Sequence, residues 1–152
     1  MQNETIGTAN RELKLSRILN APIELVWEVF ITPEHLKEWW GPTGFTTTIR
    51  KMDVVEGAEW LLTMHGPDGT DYPNRSVFTE IVENKRIQYR HYEPNFTNTI
   101  DFEQQGDKTL ILWHMLFDSV AEFELVVKTY GADEGLKQNI EKLIHYLSQK
   151  TT

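Results

Sequence analysis

Three of the five histidines, a set of aromatic side chains and a few carboxylates are the groups in this sequence with chemistry to offer. His65, His91 and His114 fall in three separate stretches that read as strands. A metal centre needs three or four converging ligands, commonly marked by a pair such as two His at i, i+4, and no such pair occurs. Asp68 and Asp71 sit in a polar turn beside a glycine and lack the pattern of a calcium loop. Nucleophilic chemistry has no starting point either, because there is no Cys and no G-x-S-x-G elbow. Glu80, Asp101 and Glu103 alternate with Ile81, Ile100 and Phe102 and so face outward. They read as solvated strand acids rather than as a glycosidase pair. No catalytic residue, metal ligand or cofactor motif is therefore assigned.

The aromatic side chains are more informative. Trp60 and Met64 share one strand face with Leu62, Tyr89 shares one with His91, and Trp113 and Met115 share one with Ile111 and Phe117. Brought together, these faces make a mostly apolar pocket whose polar tips are the Tyr89 hydroxyl, the His91 imidazole and the Trp113 indole N–H. The same composition also makes an ordinary core with those tips bonded to backbone, and spacing alone leaves both readings open. Trp39 and Trp40 either guard an entrance or anchor a short helix. Tyr130, at a break between two helical pieces, poses the same question.

The element that must position these residues is the last one. Within 133–149, Leu136, Ile140, Leu143, Ile144 and Leu147 form one face of a 3.6-period helix, with Asp133 as its cap. Such a helix is about 25 Å long and cannot bury its stripe alone. Before it the chain reads as strand over 11–20, a helix ending at Ile31 and a second helix over 33–40. Six strands follow, over 45–55, 58–65, 76–82, 87–93, 98–105 and 108–117. The links between them are short turns, save the longer one from Gly66 to Arg75. Ser119-Val120-Ala121-Glu122 is a capping-box pattern opening a helical piece over 121–129. The expected architecture is α+β: a seven-stranded antiparallel sheet wrapped around one long helix. Residues 1–10 carry one bulky side chain after the initiator, Ile6, and read as a loose arm ahead of a single domain over 11–150.

Charge and composition narrow the partners. Lys+Arg number 15 against 23 Asp+Glu, a net charge of −8, which argues against nucleic acid or an anionic membrane as main partner. No run approaches 18 apolar residues, so membrane insertion is not expected and the cytoplasm is the default location. Leu110 and Leu112 make the last strand apolar on both faces, a hint of a homodimer.

Arg17-Ile18-Leu19-Asn20-Ala21-Pro22, Val26-Trp27, Thr32-Pro33-Glu34-His35-Leu36 and Trp39-Trp40-Gly41-Pro42 together resemble a signature of the START-like, or Bet v 1-like (SRPBCC), superfamily. The branch is the homologues of the activator of the ninety-kilodalton heat-shock protein ATPase. Gly66-Pro67-Asp68-Gly69 and Gly135 before the last helix add to it, whereas Leu136 stands where relatives often have Trp. The resemblance implies a helix-grip fold with a cavity between sheet and C-terminal helix. It also implies a small hydrophobic ligand such as a lipid, polyketide or flavonoid-like molecule. Within such a fold, strand alternation and helical period make Trp39, Trp60, Met64, Tyr89, His91, Trp113, Met115, Tyr130, Leu136 and Ile140 the expected ligand-binding residues. A carrier or sensor is the first reading, a chaperone co-regulator the second, and a cyclase- or aromatase-type enzyme the third.

Overall fold

The computed structural model of the protein describes residues 4–150. Among them are eight strands: β1 (Glu4–Ala9), β2 (Glu12–Leu19), β3 (Thr46–Met52), β4 (Glu59–His65), β5 (Asp71–Val82), β6 (Arg86–Tyr92), β7 (Phe96–Gln105) and β8 (Lys108–Phe117). Helices α1 (Ile23–Ile31) and α2 (Pro33–Trp39) separate β2 from β3. After β8, α3 (Val120–Phe123) runs into a π-helical stretch, Glu124–Thr129, before α4 (Ala132–Ser148). The strands form one curved, open antiparallel sheet in the order β1-β2-β8-β7-β6-β5-β4-β3. Register shifts at Ile49/Lys51 and Phe78/Glu80 mark bulges, which bend strands and increase twist.

The fold is α+β and helix-grip, with two corrections to the expected strands. The sheet has eight strands rather than seven, because residues 4–9 pair with β2 instead of forming a loose arm. Ile6, half-buried, lies opposite Leu15 and extends the buried face of β2, whereas Thr8, opposite Leu13, is exposed. Asn10, at φ 61°, takes the left-handed conformation that a two-residue hairpin turn needs. Residues 1–3 lie outside the described residues. The second correction is β5, which begins at Asp71 rather than at 76, with its first residues paired to His65 through Leu61 of β4. Its polar side chains and Pro73 hid the strand from hydrophobic periodicity, since proline does not suit a ladder.

The helices differ in their caps. α4 starts at Ala132 behind Gly131, whose φ of 67° and ψ of 38° reverse the chain, so Asp133 lies inside the first turn rather than capping it. Ser119 does cap α3 by accepting from Glu122 N, but Glu122 turns its own Oε1 to Asn95 N at 3.1 Å instead of closing the box.

The sheet's inner face is divided along the strands. Val26, Val29 and Phe30 of α1 are buried, and the Phe30 ring meets Phe102 edge-on at 5.0 Å and Trp39 at 4.8 Å. Around them lie Ile87, Ile100 and Ile111, which fill this end of the sheet. At the other end of the same strands stand Met64, His91, Phe96 and Met115, and α4 supplies Leu136, Asn139 and Ile140. That second end is less completely filled.

Candidate functional site

A cavity of about 270 Å³ lies between the first half of α4 and the far end of the sheet. Met64 of β4, Tyr89 and His91 of β6, and Trp113 and Met115 of β8 point into it because each sits on the inward phase of its strand. Leu136 and Asn139 close it from α4, one helical turn apart. Trp40, Gly41 and Pro42 form a further wall, and Val126, Ala132 and Gly135 complete the side formed by the turn into α4. Two larger depressions, of about 390 and about 510 Å³, include charged residues among those that line them. One includes Glu38, Glu141 and Lys142, the other Lys14 and Asp101. No Asp, Glu, Lys or Arg lines the 270 Å³ cavity.

Six of the ten residues expected from the sequence meet on this wall: Met64, Tyr89, His91, Trp113, Met115 and Leu136. The other four lie elsewhere. Trp39 is fully buried and donates its indole N–H to Val29 O at 3.1 Å, so it anchors α2 on α1. Ile140 is fully buried but is not part of the wall. Trp60 lies behind the wall, stacked on Phe78 at 5.4 Å and edge-on to Tyr89 at 5.0 Å. Tyr130 is 74% exposed and turns away from the interior. Trp40, Asn74, Phe96 and Asn139 are wall residues that the sequence reading did not assign. Asn139 carried a usable signal, an amide inside the apolar stripe of the last helix.

The polar tips have defined partners. The Tyr89 hydroxyl accepts from Asn98 Nδ2 at 2.9 Å, and burial pushes its pKa up, opposed by that hydrogen bond. His91 stacks on Phe96 at 4.5 Å, with Nδ1 2.8 Å from Pro94 O and Nε2 2.6 Å from Asn74 Oδ1. Asn74 Nδ2 in turn donates to Tyr72 O at 2.9 Å. Both His91 partners are acceptors, so this geometry is satisfied by an imidazolium. Burial acts more strongly in the other direction and pushes the His91 pKa down, helped by Arg90 and opposed by the Pro94 carbonyl. The Trp113 indole N–H, the Trp60 indole N–H and Asn98 Oδ1 are buried without a partner among the described residues. Each such orphan costs about 1–3 kcal/mol.

The strand histidines do not converge. His65 bonds Thr48 and Asp71, and His114 bonds Glu12, all away from the cavity. No cluster of His, Cys, Asp or Glu suited to a metal ion occurs among the described residues. Asp101 and Glu80 are held by Arg86 at 2.7 and 3.2 Å, a surface ion-pair network rather than an acid–base pair. Leu110 is half-buried and Leu112 is 39% exposed, so the outer face of β8 is only partly covered. No helix among the described residues is long and apolar enough to cross a membrane.

The sequence profile of a family described as Activator of Hsp90 ATPase homolog 1-like protein matches residues 20–148. No curated protein matches the chain. Solved structures do. A crystal structure of a protein from Nitrosomonas europaea is 26% identical, with a TM-score of 0.86, over 95% of this chain and 98% of that one. A solution structure from Arthrobacter aurescens is 20% identical, with a TM-score of 0.89, over 95% and 91% of the two chains. A solution structure of an AHSA1-like protein from Aeromonas hydrophila is 18% identical, with a TM-score of 0.70, over 90% and 93%.

Proposed function

We propose, from the premise that this chain belongs to the family of Activator of Hsp90 ATPase homolog 1-like proteins, that it binds a small hydrophobic molecule between α4 and the sheet as a cytoplasmic carrier or sensor. The observation that carries this reading is the 270 Å³ cavity itself, walled by rings, methionines and amides with no charged side chain. Its volume is just below the range of about 300–1,000 Å³ usual for ligand sites, which suits a small occupant. Burial of apolar surface supplies affinity at roughly 25 cal/mol per Å², and the polar tips fix orientation. Binding is favoured over catalysis because the one imidazole on the wall, His91, has both nitrogens engaged by protein.

Native mass spectrometry of the protein purified under gentle conditions tests the reading. An additional mass in the range of a small lipid or aromatic metabolite, lost on denaturation, is the expected result. A chaperone retained in stoichiometric amount, with no small molecule, would instead support the co-regulator reading that the family's description suggests.

A further inference from the structure

Asn139 is the polar side chain that α4 contributes to the wall. It is 7% exposed, and its Oδ1 accepts from Gly41 N at 3.1 Å. An amide oxygen pinned by a backbone N–H cannot exchange places with its nitrogen, so the two Nδ2 hydrogens are the part left to the cavity. Nδ2 bonds no atom among the described residues, although Asn139 lines the space. A donor with no partner in a mostly apolar cavity selects an acceptor oxygen and is wasted on a hydrocarbon.

The walls add a second restriction. A carboxylate, sulfonate or ammonium that enters finds no counter-charge among the lining residues and loses its water. The chain's net charge of −8 further opposes anions at the approach. We infer that the occupant is an uncharged molecule with a carbonyl or ether-type oxygen, and that the Nδ2 group of Asn139 binds this oxygen and orients the molecule. This rests on the ligand-binding reading above and narrows it to a ligand class and a specificity-determining residue.

Four related naphthalene dyes separate the outcomes. N-phenylnaphthylamine is apolar and uncharged, and anilinonaphthalene sulfonate is nearly the same body with an anionic group. A propionyl-dimethylaminonaphthalene is uncharged with a ketone, and its trimethylammonium-bearing analogue is a cation. Fluorescence titration should show both uncharged dyes bound and both charged ones at least tenfold weaker. In Asn139→Asp, which keeps the acceptor for Gly41 N and removes the donors, the ketone dye should lose at least fivefold relative to N-phenylnaphthylamine, about one hydrogen bond. Its bound emission should also shift to the blue as the carbonyl loses its donor. Asn139→Leu repeats the comparison without a new charge, in case the first variant folds poorly. If charged dyes bind as well as uncharged ones, or if the ketone dye keeps its affinity and emission in both variants, the inference is overturned. If neither uncharged dye binds the unaltered protein, the ligand-binding reading itself fails.

Discussion

Gly135 is the fourth residue of α4 and lines the cavity, yet its backbone needs no glycine. A Cβ built there meets only the Pro42 side chain, at 3.8 and 4.0 Å, which is ordinary contact. Glycine inside a helix is less favourable than alanine by about 0.8–1.0 kcal/mol, because it surrenders more backbone freedom on folding. Gly135→Ala should therefore stabilise the protein by about that amount. For a chain of this size the gain corresponds to a rise of about 2–4 °C in Tm. Thermal unfolding followed by circular dichroism, with urea titration as a check on the slope, measures it. A drop in Tm would refute the reasoning, since it would mean that Pro42 leaves no room or that residue 135 is not in a regular helix. The companion change Gly135→Leu projects a side chain into the cavity and should weaken an uncharged dye by about tenfold, roughly 1.4 kcal/mol. Unchanged binding would place the dye elsewhere.

Three further outcomes follow from particular contacts. Ile140→Asp puts an unpaired charge at a fully buried position, at a cost of several kcal/mol against a total stability of about 5–15, so no cooperative melt should remain. Because burial depresses His91, the unfolded chain takes up more protons than the native one below about pH 6.5. Stability is then full above that value and falls as pH drops through the folded pKa. Urea melts at about pH 7.5 and about pH 5.5 should show the loss, and His91→Gln should flatten it. Deleting residues 1–9 removes Ile6, which packs on the core, and uncovers the edge of β2; a loss of about 1 kcal/mol and some self-association on sedimentation are expected, against no effect if the segment were a loose arm.

Period carried most of the fold. Alternation in β4, β6 and β8 and the stripe Leu136, Ile140, Leu143 and Leu147 suffice to put a sheet around one helix, and they aimed Met64, Tyr89, His91, Trp113 and Met115 correctly. What escaped was set by tertiary contact. β1 is held by the ladder to β2 and by one half-buried isoleucine, a signal too weak for periodicity. Of the tryptophan pair, only packing decides that Trp39 bonds Val29 O while Trp40 turns to the cavity, stacked on Trp113 at 5.8 Å. Tyr130 left the interior because the chain leaves the π-helical stretch and reverses at Gly131, a conformation no local pattern announces. Asn139 escapes a reading by period because period weighs only the apolar residues of its helix; the polar exception is the informative one.

The chain has four methionines, and they report on the central claim directly. Met64 and Met115 stand on the cavity wall, whereas Met52 packs at the other end of the sheet, near Trp60 and Ile87. Methyl-labelled methionine spectra recorded while an uncharged dye or a co-purified ligand is titrated should show saturable shifts at Met64 and Met115, intermolecular contacts to the ligand from both, and little change at Met52. Saturable binding that leaves Met64 and Met115 unmoved would contradict the account and put the ligand somewhere other than between α4 and the sheet.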